Sequence, residues 1–142
     1  ATNAPLIRSG SDLILVDTGS GAGFQPTAGK LTENLAAAGI DPASITKVVF
    51  SHAHPDHIWG TIADDGALRY PNATYYVAAT EWDFWMDDGN MSRAPEAMKG
   101  AFANVRRVFG IVGSKMTKYE PGKDVAIALD VALRSYAPSD PR

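Results

Sequence analysis

All three histidines of the 142-residue chain fall within the stretch Ser51-His52-Ala53-His54-Pro55-Asp56-His57, directly after the apolar run Lys47-Val48-Val49-Phe50. This crowding constrains the fold more than any other feature, because a strand must end where a loop can gather imidazoles and a carboxylate. In extended backbone, residues two apart point to the same side, so His52 and His54 can close on one cation together. Pro55 fixes its own backbone angle and biases His54 away from helical geometry, and that turn re-aims Asp56 and His57 as a second pair. Imidazole plus carboxylate suits zinc, and the same donors accept iron, manganese or cobalt. Two pairs directed into one cleft predict two metals that clamp a substrate and supply a nucleophile at neutral pH. A closed structural zinc is the competing reading. The chain has no cysteine, however, and thiolate-rich ligation is the usual way to build a structural site, so the balance tips toward catalysis.

The flanking sequence supplies a scaffold of β-α-β type. Leu6-Ile7-Arg8 and Leu13-Ile14-Leu15-Val16 flank the turn-forming Ser9-Gly10-Ser11-Asp12 and read as a hairpin. The second arm is continuously apolar, as expected of a strand covered on both faces. Pro26 to Ala38 is predicted helical, with Leu31 and Leu35 on one face and Gly39 ending it. Ile45 to Phe50 is then a strand parallel to the first. Ligands in such sheets bind beyond the carboxyl ends of strands, which is where the histidine loop falls. Asp56 is expected to cap a short helix beginning at His57-Ile58-Trp59-Gly60, where its carboxylate offsets a cation near the helix start.

Downstream, Thr74 to Ala78 reads as a strand, and Thr80-Glu81-Trp82-Asp83 matches a capping box opening a helix that Asp88-Gly89 stops. Trp82, Phe84 and Trp85 crowd that helix on more than one face, so at least one ring should project beyond the core side as core extension or pocket wall. Pro95 to Phe109 is predicted helical with Met98, Phe102, Val105 and Phe109 as a core stripe. Lys115 to Glu120 is a strand closed by Pro121-Gly122. Val125, Ile127, Leu129, Val131 and Leu133 alternate as one half-buried strand, and Pro138 to Arg142 reads as a frayed end.

Length and an apolar content of 45% fit one ordinary domain over residues 1–142. A net charge of −3 with both signs interspersed gives no field for gripping nucleic acid. No apolar run approaches a membrane span and no signal-peptide profile is present. The expectation is a soluble chain, cytoplasmic or periplasmic, for which a signal cleaved before residue 1 would leave no trace.

His-Ala-His-Pro-Asp-His after an apolar strand, with Leu15-Val16-Asp17-Thr18-Gly19 further back, resembles the metallo-β-lactamase superfamily. Tyr70-Pro71-Asn72-Ala73 and Glu81-Trp82-Asp83-Phe84-Trp85 are most similar to its methyl parathion hydrolase and lactonase-like branch, with coverage from about Leu6 to about Asp124. The resemblance implies an αββα sandwich of the mixed α/β (α+β) class, of which this chain carries the N-terminal half. It also implies a zinc-dependent hydrolase, with one ion or two, acting on a small neutral ester, lactone or phosphotriester. His52 and His54 would hold the first metal and Asp56 and His57 the second. Asp56 would also orient the nucleophile or protonate the leaving group, and Asp17 would support the loop by hydrogen bonding from behind the ligands. Trp85 would line the substrate pocket, with Trp82, Phe84 and Trp59 as further wall candidates. The resemblance departs at Trp59, where the family usually has a small residue, often glycine.

It departs again after His57, since no later histidine exists and Asp130 is the one candidate relic of a bridging aspartate, with Asp124 next to examine. Three explanations follow, of which the first is preferred: a fragment of a full hydrolase, a half-domain completed in a homo-oligomer, or a degenerate relative that binds metal or a partner without catalysis. A phosphodiesterase or nuclease of the same superfamily is the enzymatic alternative, but it needs cationic side chains around phosphate, and lysines and arginines are not clustered near the loop.

Overall fold

The computed structural model describes residues 3–23 and 26–135. Five strands form one sheet in the order β1 (Leu6–Ser9), β2 (Asp12–Val16), β3 (Lys47–Val49), β4 (Thr74–Ala78) and β5 (Met116–Tyr119). The β1–β2 hairpin is antiparallel and the three later pairings are parallel. Their crossovers carry α1 (Leu31–Ala37), then α2 (Pro55–Ile58), then α3 (Ala79–Met86), α4 (Asp88–Arg93) and α5 (Glu96–Val112). No helix among the described residues is long and apolar enough to cross a membrane.

Alternation along each strand decides what it covers. Leu13, Leu15, Val48, Tyr75 and Val77 enter the main core with Leu35 of α1, Ile58 of α2, Trp85 of α3 and Phe102, Val105 and Phe109 of α5. Ile14 and Val49 point the other way and meet Ile127, with Ile7, Tyr76, Val125 and Val131 packed around them. This second layer is a small hairpin, β6 (Val125–Ala128) and β7 (Val131–Leu133). The central strands are therefore apolar on both sides because both sides are covered.

Several expected elements are trimmed or redrawn. The first helix does not open at Pro26: residues 26–27 form a turn, Gly29 sits at φ 78°, and the helix starts only at Leu31. A Cβ on Gly29 would lie 2.3 Å from the Gly21 carbonyl oxygen, so a loop contact takes precedence over helix continuation there. The strand at Ile45 to Phe50 is regular only over Lys47–Val49. Asp88-Gly89 does not end a helix; Asp87 closes α3 and caps α4 by accepting from the Asn90 N–H. Met98 is 38% exposed, while α5 runs on to bury Val108 and Val112 instead. The alternating run from Val125 to Leu133 is two strands, because a turn at Leu129-Asp130 leaves Leu129 89% exposed. The expected fray at Pro138 to Arg142 lies outside the described residues.

Candidate functional site

β2 and β3 run parallel and end side by side, and the chain leaves both at the same edge of the sheet. Beyond β2, Asp17 keeps its N–H on the Val49 carbonyl at 2.7 Å while turning to φ 64°. This left-handed conformation is one that aspartate tolerates better than most residues. The turn aims its carboxylate across at the loop that follows β3. There it accepts from the Ser51 N–H at 2.7 Å, the Ser51 hydroxyl at 2.6 Å and His57 Nδ1 at 2.7 Å. The side chain is only 7% exposed.

These contacts fix protons as well as positions. The Asp17 carboxylate accepts, so His57 Nδ1 carries the hydrogen and Nε2 is the ring nitrogen left for a cation. Because the Ser51 hydroxyl gives its proton to Asp17, it can only accept from His52 Nδ1, 3.2 Å away. That leaves His52 Nε2 for a cation as well. Desolvation, followed by the neighbouring His57 and His54 rings, lowers the His52 pKa, which favours the neutral imidazole that a cation requires. The three rings crowd together, His52 lying 4.6 Å from His54 and 4.0 Å from His57 between centroids. Asp56 Oδ2 lies 3.4 Å from His57 Nε2.

Asp56 does not cap the helix. His54 holds the N-cap position in extended geometry with Pro55 in the first turn, so the Asp56 side chain is left to face His57. Behind the loop, the His57 carbonyl accepts from the Thr18 N–H at 2.8 Å and the Thr18 hydroxyl at 3.0 Å. The middle of the loop is held by Glu81, whose Oε1 accepts from the Ala53 N–H at 2.8 Å. The expected capping box of Thr80 and Asp83 is absent: α3 already begins at Ala79, with Ala78 at the N-cap and no side-chain cap, so Thr80 lies inside the first turn, and the Glu81 carboxylate beside it turns to the loop. Ser51 and Glu81 escaped the sequence reading. The Glu81/Trp85 spacing of four, one helical turn, was the available signal.

The structure brings together His52, His54, Asp56, His57 and Asp17, but not Asp130. The Asp130 carboxylate takes the hydroxyl of Ser9, which pairs with Asp12 at the far end of β2 from Asp17. The hairpin turn carries it there, and it drops out of the ligand set. Asp124 is ion-paired with Arg134 at 2.7 Å.

The four aromatic candidates do not share one pocket either. Trp85 is buried at 2% exposure, its ring set edge-on to His54 at 6.0 Å and against Phe102 at 4.7 Å. Phe84 is 47% exposed and lines an apolar groove of about 180 Å³ with Arg93, Pro95, Met98 and Phe102. Trp82 stacks on Phe109 at 4.9 Å beneath the Lys118 ammonium. Trp59 lines a separate cavity of about 380 Å³ with Ser20, Gly21, Ile62 and Arg107. The one aromatic cluster in sequence is thus split: Trp82 goes to Phe109, whereas Phe84 and Trp85 meet edge-on at 5.2 Å and share Phe102.

Among the described residues, no three histidine, aspartate or glutamate side chains form a ready-made metal cluster. The donor chemistry nevertheless fits a zinc-type cation: imidazoles crowded together, two of them held at Nδ1 so that Nε2 is free to ligate, and an adjacent carboxylate.

A family model described as the metallo-beta-lactamase superfamily matches residues 1–129. Among solved structures, the chain is similar to a hydrolase of the beta lactamase superfamily, AbOPH, with 29% identity and TM-score 0.76 over 84% of this chain and 43% of that one. It is also similar to AidC, a dizinc quorum-quenching lactonase solved with a product, N-hexnoyl-L-homoserine, with 30% identity and TM-score 0.74 over 83% of this chain and 42% of that one. A quorum-quenching N-acyl homoserine lactone lactonase shares the fold at 20% identity and TM-score 0.59, over 91% of this chain and 48% of that one. The chain thus spans less than half the length of these structures. A comparison with curated proteins gave no match. With the family model matching residues 1–129, a span that holds the αβ scaffold, the aspartate turn and the histidine loop, the chain belongs to the metallo-beta-lactamase superfamily.

Proposed function

We propose that this chain carries the N-terminal part of the active site of a metal-dependent hydrolase acting on small neutral esters, lactones or phosphotriesters. The observation that carries the reading is the histidine loop, stitched by Asp17 and Ser51 at the Nδ1 atoms of His57 and His52, which leaves the Nε2 atoms available to a cation. His52 and His54 would hold a first zinc, and Asp56 with His57 a second. When bound, the metal supplies Lewis acidity toward the substrate oxygen and toward water. Water adds across the scissile bond, its oxygen joining the acyl carbon or the phosphorus while the leaving oxygen takes a proton. Asp56, 37% exposed beside His57 Nε2, is the carboxylate positioned to carry that proton. The similarity to AidC, at 30% identity, supports a lactone among the candidate substrates. Arg69, the arginine following the loop, spends its guanidinium on the Gly60 and Ile62 carbonyls, which argues against a nuclease.

The decisive experiment is hydrolysis of ester, lactone and phosphotriester panels before and after exhaustive chelation. Activity restored by added zinc is expected, and activity that survives chelation overturns the reading. The lack of a ready three-ligand cluster among the described residues favours a second reading in parallel, a module whose site is completed by further chain or by another copy. In that case the 142-residue chain binds zinc weakly and hydrolyses feebly alone, and zinc titration with sedimentation reports it. Tight binding of two zinc ions by a monomer would refute this second reading.

A further inference from the structure

Glu81 lies in the first turn of α3, and one of its oxygens does two jobs. Oε1 accepts from the Ala53 N–H at 2.8 Å and from the Trp85 indole Nε1–H at 2.9 Å. Both donors are cut off from solvent, Ala53 being 0% and Trp85 2% exposed, so neither finds water if the carboxylate is removed. Trp85 is four residues on in the same helix, and it locks the glutamate rotamer before the loop is reached. Ala53 is the residue between His52 and His54. Its peptide sets the direction in which both imidazoles leave the backbone, and those rings stand 4.6 Å apart at 87°.

The loop is therefore held by two carboxylates with separate duties. Asp17 grips its two ends, at Ser51 and His57, whereas Glu81 grips the middle. We propose that Glu81 is a positioning residue for the histidine loop: locked by the Trp85 indole, it fixes the Ala53 peptide and thereby the mutual orientation of the His52 and His54 imidazoles toward a shared cation. This rests on reading the loop as a metal site. A carbonyl oxygen at the same place suffices for both hydrogen bonds, so glutamine should replace glutamate while alanine should not.

The test compares the full chain with Glu81→Ala and Glu81→Gln, and includes Glu81→Asp in case the alanine variant does not fold, since aspartate is one methylene too short to span both donors. Two readouts are taken. In the metal-free chain, NMR follows exchange protection of the Ala53 amide, the Trp85 indole proton shift and the ring-proton shifts of His52 and His54. Zinc titration then gives affinity. Glu81→Ala and Glu81→Asp are expected to lose Ala53 protection, move both histidine rings and weaken zinc binding on the order of 10–100-fold. Glu81→Gln should restore most of each. Unmoved histidine rings in a folded Glu81→Ala or Glu81→Asp variant overturn the proposal, whatever the zinc result. Absence of zinc binding by the unsubstituted chain overturns the metal reading instead, with the ring shifts still deciding whether Glu81 sets the loop.

Discussion

Replacing Asp17 with Asn tests the proton bookkeeping of the site at a single atom. The amide oxygen of asparagine can keep the Ser51 N–H, but its NH2 then faces the Ser51 hydroxyl and His57 Nδ1, both of which donate in the native chain. The hydroxyl can reverse. The imidazole can accept at Nδ1 only by moving its proton to Nε2, the atom that would otherwise meet the cation. Hydrogen bonds to a charged group contribute about 1.5–3 kcal/mol against about 0.5–1.5 for neutral pairs. Three such exchanges around a side chain 7% exposed, discounted because Ser51 itself reaches solvent, give a loss of about 2–3 kcal/mol. Asparagine tolerates the φ of 64°, so backbone strain does not confuse the result, whereas Asp17→Ala would add about 1–2 kcal/mol of left-handed strain. Chemical denaturation measures the stability, and long-range ¹⁵N correlation of the imidazole reports the tautomer. The expected outcome is lowered stability with His57 converted to the Nε2–H form, and zinc affinity reduced on the order of 100-fold. An unchanged denaturation midpoint together with a retained Nδ1–H tautomer would refute the reasoning.

Gly60 packs so closely on the preceding loop that a Cβ would lie 1.9 Å from the Thr18 carbonyl oxygen. Gly60→Ala should therefore cost more than about 4 kcal/mol and abolish or sharply lower the cooperative melt followed by circular dichroism; a wild-type melt would show that this approach is not rigid. Desolvation pushes Tyr70 up to about 12 and raises Tyr75 further, with Tyr119 also raised. Because the folded phenols hold their protons above the unfolded value, their contribution to stability is intact below about pH 10 and is lost as pH rises through the folded values. Absorbance at the tyrosinate band with urea melts at increasing pH should show late ionisation coupled to unfolding, and ionisation of all tyrosines near pH 10 in a folded chain would contradict it.

How much could be read in advance follows from where each signal resides. The β1–β2 hairpin, the parallel strands and the histidine loop at a strand end are written in local pattern: apolar runs, turn residues and imidazole spacing. The strand end at Asp17 is local pattern too, but its supporting role came from the family resemblance, on the pairing of Asp-Thr-Gly with the histidine motif. Gly29 and the Leu129-Asp130 turn were not legible, because a loop-to-loop contact and a hairpin fold-back are tertiary choices that helical or alternating patterns do not encode. The role of Glu81 was hidden for a similar reason. Its partner is a buried N–H 28 residues away, and such a donor leaves no mark on the sequence around the helix. Asp130 failed as a ligand because a position near the end of an apolar run fixes the face of a strand and not the end of the sheet to which it is carried.

The hydrogen bonds that hold the histidine loop join residues 34, 28 and 40 positions apart. A peptide spanning only the loop could contain every imidazole and still lack the geometry, since each restraint comes from an element that reaches it through tertiary structure. Long-separation contacts bear the cost of loop closure before they return any stabilisation, and this constellation is complete only with β2 and β3 paired and α3 docked. A cation that recognises the finished arrangement therefore binds the native chain and has little hold on the unfolded one. If the chain takes up such a cation, mass action would make its concentration a control on how much of the protein is folded.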